Sequence, residues 1–284
     1  MVVQHNLTAA NSNRQLGITS ALQAKSSEKL SSGFKINRAA DDAAGLTISE
    51  KMRSQVRGLG QASSNAQDGI SLIQTAEGAL NEVHSILQRM NQLATQAAND
   101  TNTSVDRQAV RAEIDQLTSE VNRIQSTTAF NTMNLLDGSF TGKNLQVGSL
   151  SGQGITISIR DISATGLMIN REANTAAVGT GSGAGLSVST FTQAGTAMKL
   201  IQSALNQVSS QRSALGALQN RLEHTIANLD VAAENTQVAE SRIRDTDMAK
   251  EMVEYSKNNI LSQAGQSMLA QANQSTQGVL SLLR

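Results

Sequence analysis

AQDGISLIQTAEGALNEVHSILQRMNQLATQA, residues 66–97, is the stretch on which the fold turns. Ala66, Gly69, Ile73, Ala76, Leu80, Val83, Leu87, Met90, Ala94 and Ala97 follow one another at alternating steps of three and four. That spacing keeps them in one line along an α-helix and marks a coiled-coil seam. A second row, Leu72, Ala79, Ile86 and Leu93, lies on a neighbouring face, so the predicted helix must touch more than one partner. At about 1.5 Å per residue it is roughly 48 Å long.

Downstream, Asn99-Asp100-Thr101-Asn102 reads as a short connection, and Thr103-Ser104-Val105-Asp106 suits a helix start, because hydroxyl and carboxylate groups satisfy the first backbone N–H groups. The following seam is Val110, Ile114, Leu117, Val121 and Ile124, predicted to run antiparallel to the first. A third seam, Ile201, Leu205, Val208, Leu215, Leu222, Ile226, Leu229 and Ala233, includes polar Arg212 and Gln219, read as register devices or partly solvated sites.

Between the helical halves the pattern changes. Leu136-Asp137-Gly138-Ser139 reads as a turn that ends the helical region. Leu145 and Val147, then Ile155, Ile157 and Ile159, alternate with polar residues across the glycine-rich 148–154, a β-hairpin signal. Residues 174–190 are nearly all Gly, Ala, Ser, Thr and Val and read as a flexible surface loop with little to bury.

The chain of 284 residues carries 23 basic and 23 acidic side chains, with no proline, cysteine or tryptophan. Roughly 5% proline is ordinary usage, about 14 residues here, and zero favours unbroken helices. Lack of cysteine excludes disulfides, zinc-thiolate sites and thiol catalysis. Zero net charge gives no reason to expect nucleic acid or an anionic membrane as partner. No run of 18 apolar residues occurs, so no bilayer span is expected, and residues 1–7 lack the regions of a secretory signal. With only Phe34, Phe130, Phe140, Phe191 and Tyr255 as aromatics, the core must be aliphatic and alanine-rich.

Catalytic patterns do not emerge. His5, His84 and His224 are scattered, and Gly58-Leu59-Gly60 reads as a turn rather than a nucleotide loop. Asp41 and Asp42 read as turn-bonding groups, ion-paired with Arg38, and not as an acid–base pair. Met52, Met90, Met248, Met252 and Met268 read as adaptable packing. No cofactor, metal or enzymatic activity is expected. Residues 1–33 hold eight large aliphatics, too few to offset the entropy of ordering that length alone. The tail from Asp247 is greasier, so the two ends are suited to pair with each other and with neighbouring copies.

Four motifs carry a resemblance. KLSSGFKINRAADDAAGL at 29–46, QDGISLIQTAEGAL at 67–80, AESRIRDTDMAKEM at 239–252 and NILSQAGQSMLAQAN at 259–273 resemble, in order, the terminal signatures of bacterial flagellin. The resemblance covers roughly residues 1–140 and 195–284 and implies a mainly α, coiled-coil-like bundle built from both chain ends, with a small β-hairpin, assembling as a tubular helical filament. It implies inner-tube segments at 1–45 and 241–284, rod helices at 46–140 and 191–240, and an outward-facing 141–190. Candidate self-assembly residues are Leu7, Ile18, Leu22, Ile260, Leu261, Met268 and Leu283.

The resemblance further implies extracellular location, export without a cleaved signal, a cytoplasmic export chaperone, and filament cap and hook–filament junction proteins as partners. It also points to Toll-like receptor five, through Gln88, Arg89, Leu93 and Glu113. Asn91 and Gln92 stand where the family commonly has arginine and glutamate. Only residues 141–194 separate the matched halves, so the large central domains of many flagellins are absent, as is the zinc motif of those with protease inserts. Competing expectations are a hook–filament junction or adhesive protein, and a soluble signalling coiled coil.

Overall fold

A computed structural model describes residues 6–169 and 186–282, with the side chains of 276–282 left aside. The described elements in chain order are α1 (Leu7–Ser32), α2 (Ala43–Ala97), α3 (Ser104–Thr127), β1 (Ala129–Phe130), β2 (Met133–Asn134), β3 (Lys143–Gln146), β4 (Gly154–Ile157), α4 (Phe191–Arg244) and α5 (Met248–Leu282). They fall into two compact units, a terminal one (Met1–Val56 with Glu234–Arg284) and a central one (Arg57–Ala233).

The central unit is built on the seam of α2. Ile73, Ala76, Leu80, Val83, Leu87, Met90, Ala94 and Ala97 are wholly excluded from solvent. They pack with Val110, Ile114, Val121 and Ile124 of α3 and with Ile201, Leu205, Val208, Leu215 and Leu222 of α4 in one core. The second row of α2 faces this core too: Leu72 and Leu93 are buried, Ala79 and Ile86 partly so. A helix with two buried rows requires partners on two sides, and α3 and α4 supply them. The α2–α3 turn places Arg89 beside Glu113. The start of α3 is fixed by a capping box, with Thr103 and Asp106 exchanging hydrogen bonds.

Several expectations are corrected here. The helical region ends at Thr128, before residue 136, because Asn131 (φ 45°) and Thr132 (φ 64°) make a two-residue turn joining β1 to β2. Left-handed backbone at both central positions suits a tight hairpin. The turn at 137–139 is real: Gly138 has φ 79°, and Asp137 accepts from the Ser139 N–H at 2.9 Å. The predicted β3–β4 hairpin forms with Leu145 opposite Ile155.

Gly58-Leu59-Gly60 is helix, not turn. Gly58 is needed because a Cβ there would lie 2.8 Å from that of Ser149, so the β3–β4 loop approaches α2 closely. Of the stretch 174–190, residues up to 185 lie outside the described part. The remainder contradicts a loop with little to bury, since Leu186 and Val188 are fully packed. The segment after β4 adds Ile159, Ile162, Leu167 and Ile169 to the core, tied down by Ile159 N–H to Phe140 O at 2.8 Å and Ile162 N–H to Leu136 O at 3.0 Å.

The polar seam positions of α4 are partly solvated, one of the two expected readings. Arg212 is half-buried and pairs with Glu77 at 3.5 Å, and Gln219 bonds its own helix at Glu223. The buried polar residue of α4 is Gln211, whose amide donates to Ser158 O at 3.2 Å.

In the terminal unit, α1 and α5 pack against each other antiparallel. The Asn6 amide donates to Ala272 O at 3.0 Å, Leu16 meets Gly265, and Lys29 pairs with Glu251 at 3.4 Å. Beyond α1, Gly33 (φ 76°) caps the helix and Phe34 bridges to Asp245. Lys35 N–H donates to Arg244 O at 2.7 Å and Thr246 N–H to Gly33 O at 3.0 Å. The Arg244 guanidinium lies 4.6 Å from the Phe34 ring centre and 2.6 Å from Glu50, a cation–π and ion-pair clasp.

Asp41 accepts from the Asn37 and Arg38 N–H groups, as a turn requires, but its ion partner is Lys25 at 2.8 Å. Arg38 instead pairs with Glu28, because that carboxylate lies nearer to its fork. Asp42 accepts from the Gly45 N–H at 2.8 Å at the entry to α2.

Candidate assembly and recognition surfaces

The terminal pair is inverted relative to an ordinary amphipathic helix pair. Among the described residues of α1, the less exposed positions are Ala9, Ser12, Leu16, Thr19, Gln23, Ser26 and Leu30, with Glu28 and Lys29 beside the last. On α5 they are Glu251, Tyr255, Asn258, Ser262, Gly265, Leu269 and Ala272, with Asn259 at the margin. Both rows advance by threes and fours, the heptad step. Laid antiparallel on the Leu16–Gly265 contact they fall into register, Ala9 level with Ala272, Gln23 with Asn258 and Leu30 with Glu251. The seam is therefore made mostly of small and polar side chains, and Thr19, Ser26 and Asn258 are buried in it.

The grease points the other way. Leu7 is 68% exposed, Ile18 49%, Leu22 50%, Ile260 66%, Leu261 47% and Met268 62%. Val253, Met248 and Met252 are exposed beside them. Met248, Met252 and Met268 are thus not interior packing, while Met90 is. Of the seven candidate assembly residues, six sit on outward faces, and Leu283 lies outside the described residues. Met252, Val253, Ser256, Lys257 and Ile260 line a shallow groove along α5. On a 3.6-residue helix, Val253 and Ile260 stand opposite the Tyr255–Asn258–Ser262 row. Large aliphatics left in water at this density mark contact surfaces.

A second constellation lies on α2 and α3. Arg89 donates to Glu113 from Nε at 3.0 Å and from Nη2 at 2.7 Å, both side chains about half exposed. Gln88 is exposed and bonds His84 at 3.0 Å. Leu93 differs from these three: it is 2% exposed and belongs to the core. Its place in the second apolar row of α2 turns it inward, so it supports the surface from beneath.

Elsewhere the electrostatics is structural. Hydrogen bonding from Lys25, then from the Arg38 N–H, holds the Asp41 carboxyl below its ordinary range, and the same pair raises Lys25. Among the described residues no cluster of three metal-ligating side chains occurs, and no helix is long and apolar enough to cross a membrane.

A terminal pair that hides polar groups and displays aliphatics presents a surface suited to a partner. Long helices, an exposed apolar face and no metal cluster among the described residues fit a structural helical subunit. The chain matches the bacterial flagellin N-terminal helical region over residues 3–141 and the bacterial flagellin C-terminal helical region over residues 198–283. It is 55% identical over 286 residues to the flagellin of Halalkalibacterium halodurans, and 51% identical over 305 residues to that of Bacillus subtilis. Both alignments span 100% of each chain. A solved structure of a putative flagellar hook-associated protein from Vibrio parahaemolyticus shares the fold, with TM-score 0.56 and 12% identity, covering 72% of this chain and 100% of that one.

The chain belongs to the bacterial flagellin family. It is a structural subunit of the flagellar filament, an extracellular polymer.

Proposed function

We propose that the outward faces of α1 and α5 are the contacts through which copies of the chain close into the inner tube of the filament. On this reading residues 1–45 and 241–284 line the tube, 46–140 and 191–240 form the surrounding rod, and 141–190 faces outward. The observation that carries it is the exposure of Leu7, Ile18, Leu22, Val253, Ile260, Leu261 and Met268 around a seam that buries Thr19, Ser26 and Asn258. Heterologous contacts between different faces of one subunit generate an open helical assembly. The role is mechanical and calls for no catalysis or cofactor.

The terminal pair holds itself weakly, since its seam offers little apolar area, and neighbouring copies complete its ordering. Such ends suit export in an unfolded state without a cleaved signal, a cytoplasmic chaperone on α5, and insertion beneath a cap after the junction proteins. Deletion of residues 247–284 is expected to leave a soluble monomer. Efficient filament formation by the shortened chain would refute the assignment.

Recognition by Toll-like receptor five is a second reading, supported by the exposed Gln88, Arg89 and Glu113 with Leu93 packed below them. Arg89→Ala or Glu113→Ala is expected to weaken receptor activation by the monomer. Unchanged dose–response curves would remove it.

A further inference from the structure

The chain has nine methionines and no cysteine, so thioethers are its only sulfur. Their placement is uneven. Met90 is sealed in the core and Met198 packs against it. On α5, by contrast, Met248, Met252 and Met268 are exposed by 47%, 52% and 62%. Eight residues of helix advance about 80° round the axis and about 12 Å along it. Met252 and Met268 each stand eight residues from Ile260, one on either flank of it, and Met252 forms a wall of the groove with Val253 and Ile260. Sulfur edges the apolar ridge on both sides.

A thioether in that position is open to oxygen transfer from a peroxide. One oxygen atom passes to sulfur, the O–O bond breaks, sulfur is oxidised by two electrons, and the peroxide leaves as water. The product sulfoxide is polar and chiral where the parent side chain was apolar and pliable. Burying it at a contact without a hydrogen-bond partner opposes association.

We propose that Met248, Met252 and Met268 are oxidative modification sites, through which peroxide blocks polymerisation of the free subunit and methionine sulfoxide reductases restore it. The reductases take two electrons from a dithiol, which becomes a disulfide, and release the sulfoxide oxygen as water. The proposal rests on the reading of the outward face of α5 as a contact between copies. It makes the assembly step, rather than the folded rod, the part of the protein that senses oxidants. On that reading the contact covers the same sulfurs once copies have joined, so oxidation acts on subunits before they join.

The test is seeded elongation of purified full-length chain, with and without hydrogen peroxide, the sulfoxides being located by mass spectrometry. Elongation is expected to fall about tenfold for each sulfoxide that must be buried, and to recover after treatment with the reductases. Met248→Leu, Met252→Leu and Met268→Leu together keep volume and helix propensity, and the triple variant is expected to elongate equally before and after peroxide. Should it fail to polymerise untreated, the three single variants make the same comparison. Met133→Leu with Met168→Leu, both on the central unit, is expected to stay peroxide-sensitive. Full-rate elongation of chain carrying all three α5 sulfoxides, or undiminished sensitivity of the α5 variants, would overturn the proposal. Ile260→Asp separates the two layers of inference: if the untreated variant elongates normally, the contact assignment itself falls. If it does not elongate and the sulfoxides still have no effect, only the oxidative step falls.

Discussion

Leu16 and Gly265 meet across the terminal helix pair with space for a methyl group and little more. A Cβ at position 265 would lie 3.4 Å from Leu16 Cδ1 and 3.9 Å from its Cβ. Gly265→Ala is therefore expected to be tolerated. Replacing a mid-helix glycine would add about 0.5–1 kcal/mol to helix stability, and the Leu16 terminus is free to rotate slightly. Gly265→Leu would force the helices apart at the centre of their seam. Circular dichroism melts and seeded assembly check both: the alanine variant should melt no lower than the parent and still polymerise, and the leucine variant should do neither.

Asn258 is buried in that seam at the level of Gln23. A polar group at a seam position fixes register at some cost in stability. Asn258→Leu should make the terminal pair more helical in dilute monomer, yet allow it to slide by a heptad. The expected result is a higher melting midpoint with fewer ordered filaments by electron microscopy. Normal filaments at normal yield would show that Asn258 does not set the alignment.

The different legibility of the two units follows from where each puts its large side chains. The seam of residues 66–97 was readable because Ile73, Leu80, Val83 and Leu87 face a partner, and hydrophobic spacing reports such a face directly. In α1 and α5 the same heptad step exists but is written in Ser12, Thr19, Gln23, Ser26, Asn258 and Ser262. A search for apolar periodicity therefore finds the outward stripe and misses the inward one. Small and polar residues recurring at threes and fours in both ends, in opposite order, was the signal available. The segment 135–169 was partly missed for another reason: Leu135, Leu136, Ile162 and Leu167 are buried without any repeating period. Leu93 belongs both to the second apolar row of α2 and to the motif of Gln88 and Arg89, and the row decides its orientation, because α2 buries that face. Gly58 looked like a turn because local propensity cannot see the loop at Ser149.

Gly58 offers a direct test of that approach. A side chain there meets Ser149 Cβ at 2.8 Å and its Cα at 3.3 Å, so backbone has to move. Gly58→Val should displace the β3–β4 loop and destabilise the central unit by about 1–3 kcal/mol, as overpacking does. Gly60, with open space around its missing Cβ, provides the control: Gly60→Ala should not lower stability in urea titration. Equal loss at both positions would mean that the close approach at Ser149 does not distinguish them.

The start of α3 carries a pH dependence of defined sign. Thr103 donates to Asp106 from its hydroxyl at 2.7 Å and from its N–H at 2.9 Å. These bonds, the hydroxyl first, hold the Asp106 carboxyl below its ordinary range. A carboxylate depressed on folding adds stability that is fully present above its unfolded pKa and is lost as pH falls through the folded value. The N-terminus of the helix favours the same charge. Acidification from the ordinary aspartate value, about 3.9, down through the depressed one should loosen the first turn of α3 while the core seam holds. Asp137, held down by Ser139, should respond in the same direction at its own turn. Amide exchange at Asp106 and Arg107 should speed up over that window in the parent chain. In Asp106→Asn that acceleration should be absent, because no charge remains to be lost. Persistence of the full acid response in the asparagine variant would assign it to another carboxylate.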